Sequence, residues 1–99
     1  MNRPYYSEYV RHALRFYTRN PIPLYFKGDA DKANWYACAA VIKKYPDRDR
    51  NILMMVYGDR DTLSDNVYNA AKKYDVHQNS IWDMMKEFER KVAKMRGLL

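Results

Sequence analysis

Apolar side chains recur three and four residues apart through most of this chain, and proline or glycine interrupts them where a run closes. That spacing marks one face of an α-helix, and no stretch alternates as a half-buried strand does. The pattern predicts an all-α fold of about five helices, a compact bundle with a C-terminal helix-turn-helix and a long last helix. Tyr6, Val10, Ala13, Leu14 and Tyr17 predict a first helix from about Tyr5 to Arg19. Asn20-Pro21-Ile22-Pro23 ends it, because proline bars the preceding residue from helical backbone and donates no hydrogen bond. Leu24-Tyr25-Phe26 reads as an apolar connector tucked against the core. Asp29 is placed to cap a second helix running to about Lys44, with Ala33, Tyr36 or Ala37, Ala40 and Val41 inward. Tyr45-Pro46 closes that helix.

The second half follows the same grammar. Asp47 is placed to cap a third helix whose centre is Ile52 to Tyr57, and Gly58 to terminate it. Thr62-x-x-Asp65 resembles a capping box, and Leu63, Val67, Ala70, Ala71 and Tyr74 then share a face of a fourth helix. A short break, Asp75-Val76-His77-Gln78, leads into a last helix ending near Arg96. Ile81, Met85, Phe88, Val92, Met95 and Leu99 step along it at heptad spacing. Packing within the domain and a weak homodimer through this helix both use such a seam.

The break carries the tightest signal. A helix-turn-helix needs a small residue where its helices approach, and Ala71 supplies it. Tyr74 gives the apolar contact three residues on, and Asp75 is one of the few residue types besides glycine that tolerates a left-handed turn. Val76 plugs the turn and Ile81 returns to the core. An ordinary αα-hairpin shares this apolar pattern. In a helix-turn-helix the start of the second helix enters the major groove, which makes His77, Gln78, Asn79, Trp82, Asp83 and Lys86 the candidate base readers. Gln and Asn amides can bond N6 and N7 of adenine together. Lys72, Lys73, Ser80 and Arg90 are the candidate phosphate contacts.

Charge agrees with a nucleic-acid partner and complicates its placement. The chain carries 18 basic and 12 acidic residues, a formal net of +6. Eight of those basic residues, against three acidic ones, lie in residues 1–45, outside the reading head. Arg3, Arg11, Arg15 and Arg19 form a candidate accessory basic patch there. No apolar run has the length of a membrane span and the N-terminus lacks the apolar stretch of a secretory signal, so a cytoplasmic setting without membrane association is expected. The lone Cys38 sits in an apolar run, where it reads as a buried thiol. Two histidines and one cysteine make no structural metal site, and neither a metal nor another cofactor is expected. Paired carboxylates, a nucleophile beside a base and a phosphate-binding glycine loop are missing from the pattern, which points away from an enzyme.

Tyr45-Pro46-Asp47-Arg48-Asp49-Arg50-Asn51-Ile52-Leu53-Met54-Met55-Val56-Tyr57 resembles the opening of the fourth conserved region of bacterial sigma factors, and the Ala71–Ile81 turn follows in the same order. The size and the ending Val92–Leu99 also look like small sigma-like regulators of phages and mobile elements of Gram-positive bacteria. The resemblance covers about residues 45–99, dividing the single domain 1–99 into a two-helix support (1–45) and a sigma-like part (46–99). It departs from the family at Met84 and Glu87, where arginine is usual, and in a longer stretch between Tyr57 and Ala71. Nothing in residues 1–44 resembles the sigma region that melts promoter DNA. The resemblance implies a transcriptional regulator that binds double-stranded DNA through this helix-turn-helix, with RNA polymerase as a further partner. The alternative is a protein-interaction module that docks on RNA polymerase or another protein without reading sequence. Monomer and weak homodimer both fit.

Overall fold

The computed structural model describes residues 4–22 and 26–99. Five helices follow one another: α1 (Ser7–Arg19), α2 (Asp29–Ile42), α3 (Asp47–Gly58), α4 (Leu63–Tyr74) and α5 (Gln78–Met95). No strand forms among the described residues, so the fold is all-α as the periodicity predicts. None of these helices is long and apolar enough to cross a membrane. Arg3, Leu24 and Tyr25 lie outside the described residues, and with them most of the expected apolar connector.

α1 occupies the centre, packed on α2, α3 and α5. Its inward face is the predicted one: Tyr6, Val10, Ala13, Leu14 and Tyr17 are all buried. The helix begins at Ser7, two residues later than the pattern suggests. It ends at Asn20, whose N–H donates to the carbonyls of Phe16 and Tyr17. The Trp35 indole then donates to the Asn20 carbonyl at 2.7 Å and its ring meets Tyr17 at 5.2 Å. One side chain of α2 thus holds the end of α1 and fills the space beside it. Phe26, the described end of the connector, is half-buried edge-on to Trp35.

α2 is where apolar spacing misleads. Asn34, Trp35, Ala37, Cys38, Val41 and Ile42 are its buried residues, while Ala33 and Ala40 are half-buried and Tyr36 is exposed. Apolar residues surround this helix almost completely, so periodicity alone gives it no unique inward face. Gly28, not Asp29, is its N-cap residue, and Asp29 and Asp31 sit in the first turn against the positive end of the helix dipole. Likewise Pro46 rather than Asp47 precedes α3. Gly58 does not stop α3 by adopting positive φ. It is the last helical residue, and a Cβ there would lie 3.4 Å from that of Thr18 on α1. The end of α3 is instead held by Asn66 of α4, whose amide nitrogen donates to the carbonyls of Val56 and Asp59, each at 2.9 Å.

α5 runs along the bundle with Ile81, Met85, Phe88 and Val92 buried, as the heptad spacing predicts. Beyond Phe88 the inward face turns to Glu89, Val92 and Ala93, and Met95 and Leu99 are left half-exposed. A straight helix has 3.6 residues per turn, so a seam spaced at 3.5 drifts off the core by about 20° per heptad unless a partner supercoils with it. Here the drift is accommodated within the domain.

Candidate nucleic-acid interface

The candidate interface is built on the joint between α4 and α5. Thr62 accepts the Asp65 N–H through its side chain at 3.2 Å, giving α4 the N-cap that its sequence predicts. At the other end Asp75 takes φ 54° and ψ 51°, the only described non-glycine residue with positive φ. The Ala71 carbonyl then accepts from the N–H groups of both Asp75 and Val76. This doubly bonded left-handed turn is a helix C-terminal motif that fixes the direction of the outgoing chain. Half-buried Ala71, Tyr74 and Val76 pack its inner side against the core, and Ile81 is buried one turn into α5.

α5 therefore starts in the open. His77 precedes it in extended conformation without a side-chain cap, and its first turn carries no acidic residue. Its first amides lack intrahelical acceptors, leaving donors and a positive dipole end facing solvent. Gln78, Asn79 and Ser80 are all exposed. Lys72, Asp75, His77, Gln78 and Asn79 line one groove of about 620 Å³ together with Tyr68.

The structure divides the remaining predicted readers. Asn79, Asp83, Lys86 and Arg90 are exposed and follow one outer line of α5 at spacings of four, three and four residues. Ser80 and Asp83 border a different groove on the α3 side, with Tyr45, Arg48, Asp49 and Glu87. Glu87 receives the Tyr45 hydroxyl at 3.1 Å and Lys91 Nζ at 2.9 Å, and those bonds, Lys91 first, hold its carboxyl below the usual range. Trp82 is half-buried against the core, so much of its ring serves packing. Lys72 and Lys73 are exposed, with their ammonium groups over the rings of Tyr68 and Tyr74 at 5.8 and 5.6 Å.

The N-terminal stripe is not one patch. Arg15 and Arg19 are exposed, and Arg19 Nε donates to the Gly58 carbonyl at 3.3 Å. Arg11 instead turns inward, and its Nε donates to Glu89 Oε2 at 2.9 Å. Its guanidinium neutralises a buried carboxylate and is withdrawn from the candidate accessory basic patch. Spacing of i, i+4, i+8 drifts around a helix, so the first member of the stripe lies over α5 while the later ones leave it.

Tyr68 is the residue that motif reading misses. It is half-exposed on α4, borders the same groove as Gln78 and Asn79, and stands one turn before Lys72. The i, i+4 relation to Lys72 is the signal that could have found it. Among the described residues no group of histidine, cysteine, aspartate and glutamate side chains could hold a metal. Set against known proteins, the chain matches no family model, no curated protein and no solved structure.

Proposed function

We propose that this chain is a DNA-binding transcriptional regulator that uses α4 and α5 as a sigma-like helix-turn-helix. The carrying observation is the left-handed joint at Asp75, which presents an uncapped, exposed first turn of α5 beside Lys72. On this reading Gln78 and Asn79 meet base edges, while Lys72, Lys73 and the open α5 amides meet phosphate. Asp83 repels phosphate and fits only a cytosine N4–H donor. Arg90 stands about 16 Å along the helix from Asn79, far enough to touch backbone flanking the groove.

Selection of bound sites from a random duplex pool, with and without RNA polymerase, tests the proposal. A recovered motif is expected, and affinity for it should fall steeply with salt as counterions are released. Gln78→Ala with Asn79→Ala should flatten the base preference. Lys72→Ala should weaken all sequences alike and lower the log–log salt slope by about one. Absence of duplex binding at low salt defeats the proposal.

A second reading keeps the helix-turn-helix fold but docks it on RNA polymerase or another protein. The withdrawal of Arg11 into the core favours it, because the basic surplus of residues 1–45 is then less available to DNA. Co-purification with polymerase and no enriched DNA motif would select this reading.

A further inference from the structure

At the opposite end of α5 lies a surface that the DNA reading does not use. Val41, in the last turn of α2, and Lys44, just past its end, face Lys91, Lys94 and Met95 of α5 across a groove of about 490 Å³. That volume lies within the roughly 300–1,000 Å³ typical of ligand clefts. Its floor is apolar: Val41 is buried, and Met95 is 52% exposed because the drift of α5 carries it off the core. Its rim is cationic. Lys44 and Lys94 have no ion-pair partner among the described residues, and Lys91 shares only the exposed Glu87.

We propose that this α2–α5 groove docks an acidic amphipathic helix of another protein. An apolar floor between two helices takes the anchor side chains of a third helix, spaced i, i+3 or i+4, i+7. The unpaired lysines select glutamate and aspartate on the flanks of that helix and steer its approach. Methionine suits the floor because its flexible thioether adapts to the anchor it meets. Nucleic acid fits less well, since phosphate has no use for the exposed methionine between the lysines. The groove's α5 residues lie about 20–26 Å along that helix from Gln78. A docked helix and a duplex at the helix-turn-helix could therefore be held together, and the inference does not depend on the DNA reading.

The test is selection of peptides of about 16 residues, some 24 Å of helix, displayed as a random library against the full chain. Counter-selection uses the Lys44→Glu, Lys94→Glu, Met95→Asp variant, whose changes are all at exposed positions; unchanged circular dichroism and melting establish that it is folded. Recovered peptides should be acidic and helically amphipathic. By fluorescence anisotropy they should lose about tenfold or more in affinity for the variant and none for Gln78→Ala with Asn79→Ala. Replacing their apolar anchors by serine should abolish binding at unchanged charge. Recovery of no peptide that distinguishes the variant, or of peptides without acidic residues, overturns the proposal. So does retention of binding without the anchors, which would make the surface a plain electrostatic patch. A variant that loses duplex DNA but no peptide would make it a phosphate-binding patch instead.

Discussion

Glu89 lies on α5 with its side chain almost closed to solvent, and its Oε2 accepts from Arg11 Nε at 2.9 Å and from the Tyr57 hydroxyl at 2.6 Å. One carboxylate thereby joins α1, α3 and α5. Leaving a buried charge without its partner costs about 3–5 kcal/mol, whereas an exposed substitution usually stays within about 0.5 kcal/mol. Arg11→Ala is therefore expected to lower the unfolding free energy in urea by about 3 kcal/mol. Arg15→Ala, one turn further on, should be nearly silent. Two other buried groups set an alkaline limit. Burial, reinforced by Glu89, raises the Tyr57 hydroxyl well above its ordinary value, and burial pushes the Cys38 thiol up to about 12. Their unfolded values are about 10 and about 8.5. Because both are raised on folding, their contribution is complete below those unfolded values and is lost as pH climbs through the folded ones. Melting temperature should fall from about pH 8.5 upward, and Cys38→Ala should remove the earlier part of the decline. Cys38 should react with thiol reagents only at the rate of opening.

At the scale of elements, the two ends of α4 show what local sequence can and cannot encode. Thr62 caps the helix as its capping-box pattern predicts, since an N-cap hydroxyl and the amide it receives are three residues apart. Asp75 also takes the left-handed turn expected of it. Asp75→Gly relieves the Cβ penalty and should add up to about 1 kcal/mol, and by removing a negative charge from the groove beside Lys72 it should strengthen duplex binding. Asp75→Val should lose more than that amount and weaken DNA together with stability, checked by chemical denaturation beside anisotropy. Asn66 carries no comparable local sign. It is buried, its amide joins two carbonyls at the α3–α4 loop, and its own Oδ1 has no hydrogen-bond partner. Asn66→Ala strands those carbonyls and should cost about 2 kcal/mol in the same denaturation assay. Its spacing resembles that of any polar residue on an amphipathic helix, so only the assembled loop reveals it.

Across the whole molecule, one hydrophobic cluster runs through all five helices. The radius of gyration is 13.0 Å, and about 13 Å is expected for a compact domain of this length. The polar seams also cross the chain. Tyr5 donates its hydroxyl to the Leu98 carbonyl, and Asn34 receives Arg96 Nε at 2.6 Å while donating to the Tyr9 hydroxyl at 3.0 Å. Residues 46–99 thus borrow much of their core and their C-terminal ties from α1 and α2. Expressed alone, that fragment should show weak helical circular dichroism and no cooperative melt, while the full chain should melt in one transition. A cooperatively folded 46–99 fragment would show instead that α1 and α2 are an addition to a self-sufficient unit.

By itself, the sequence determined the helices, their order, the inward faces of α1 and the first half of α5, and the left-handed joint before α5. Each of these depends on residues within a turn or two of one another, where periodicity, caps and backbone preference act directly. Tertiary packing decided the rest. It chose which side of α2, apolar all round over residues 35–42, is buried, drew Arg11 from the basic stripe to Glu89, and separated Ser80 from Lys72 onto different grooves. It also left Met95 facing solvent between Lys44 and the lysines of α5. Those outcomes depend on where a second helix lies, and a charge or methyl group has the same local pattern whether that neighbour is present or absent.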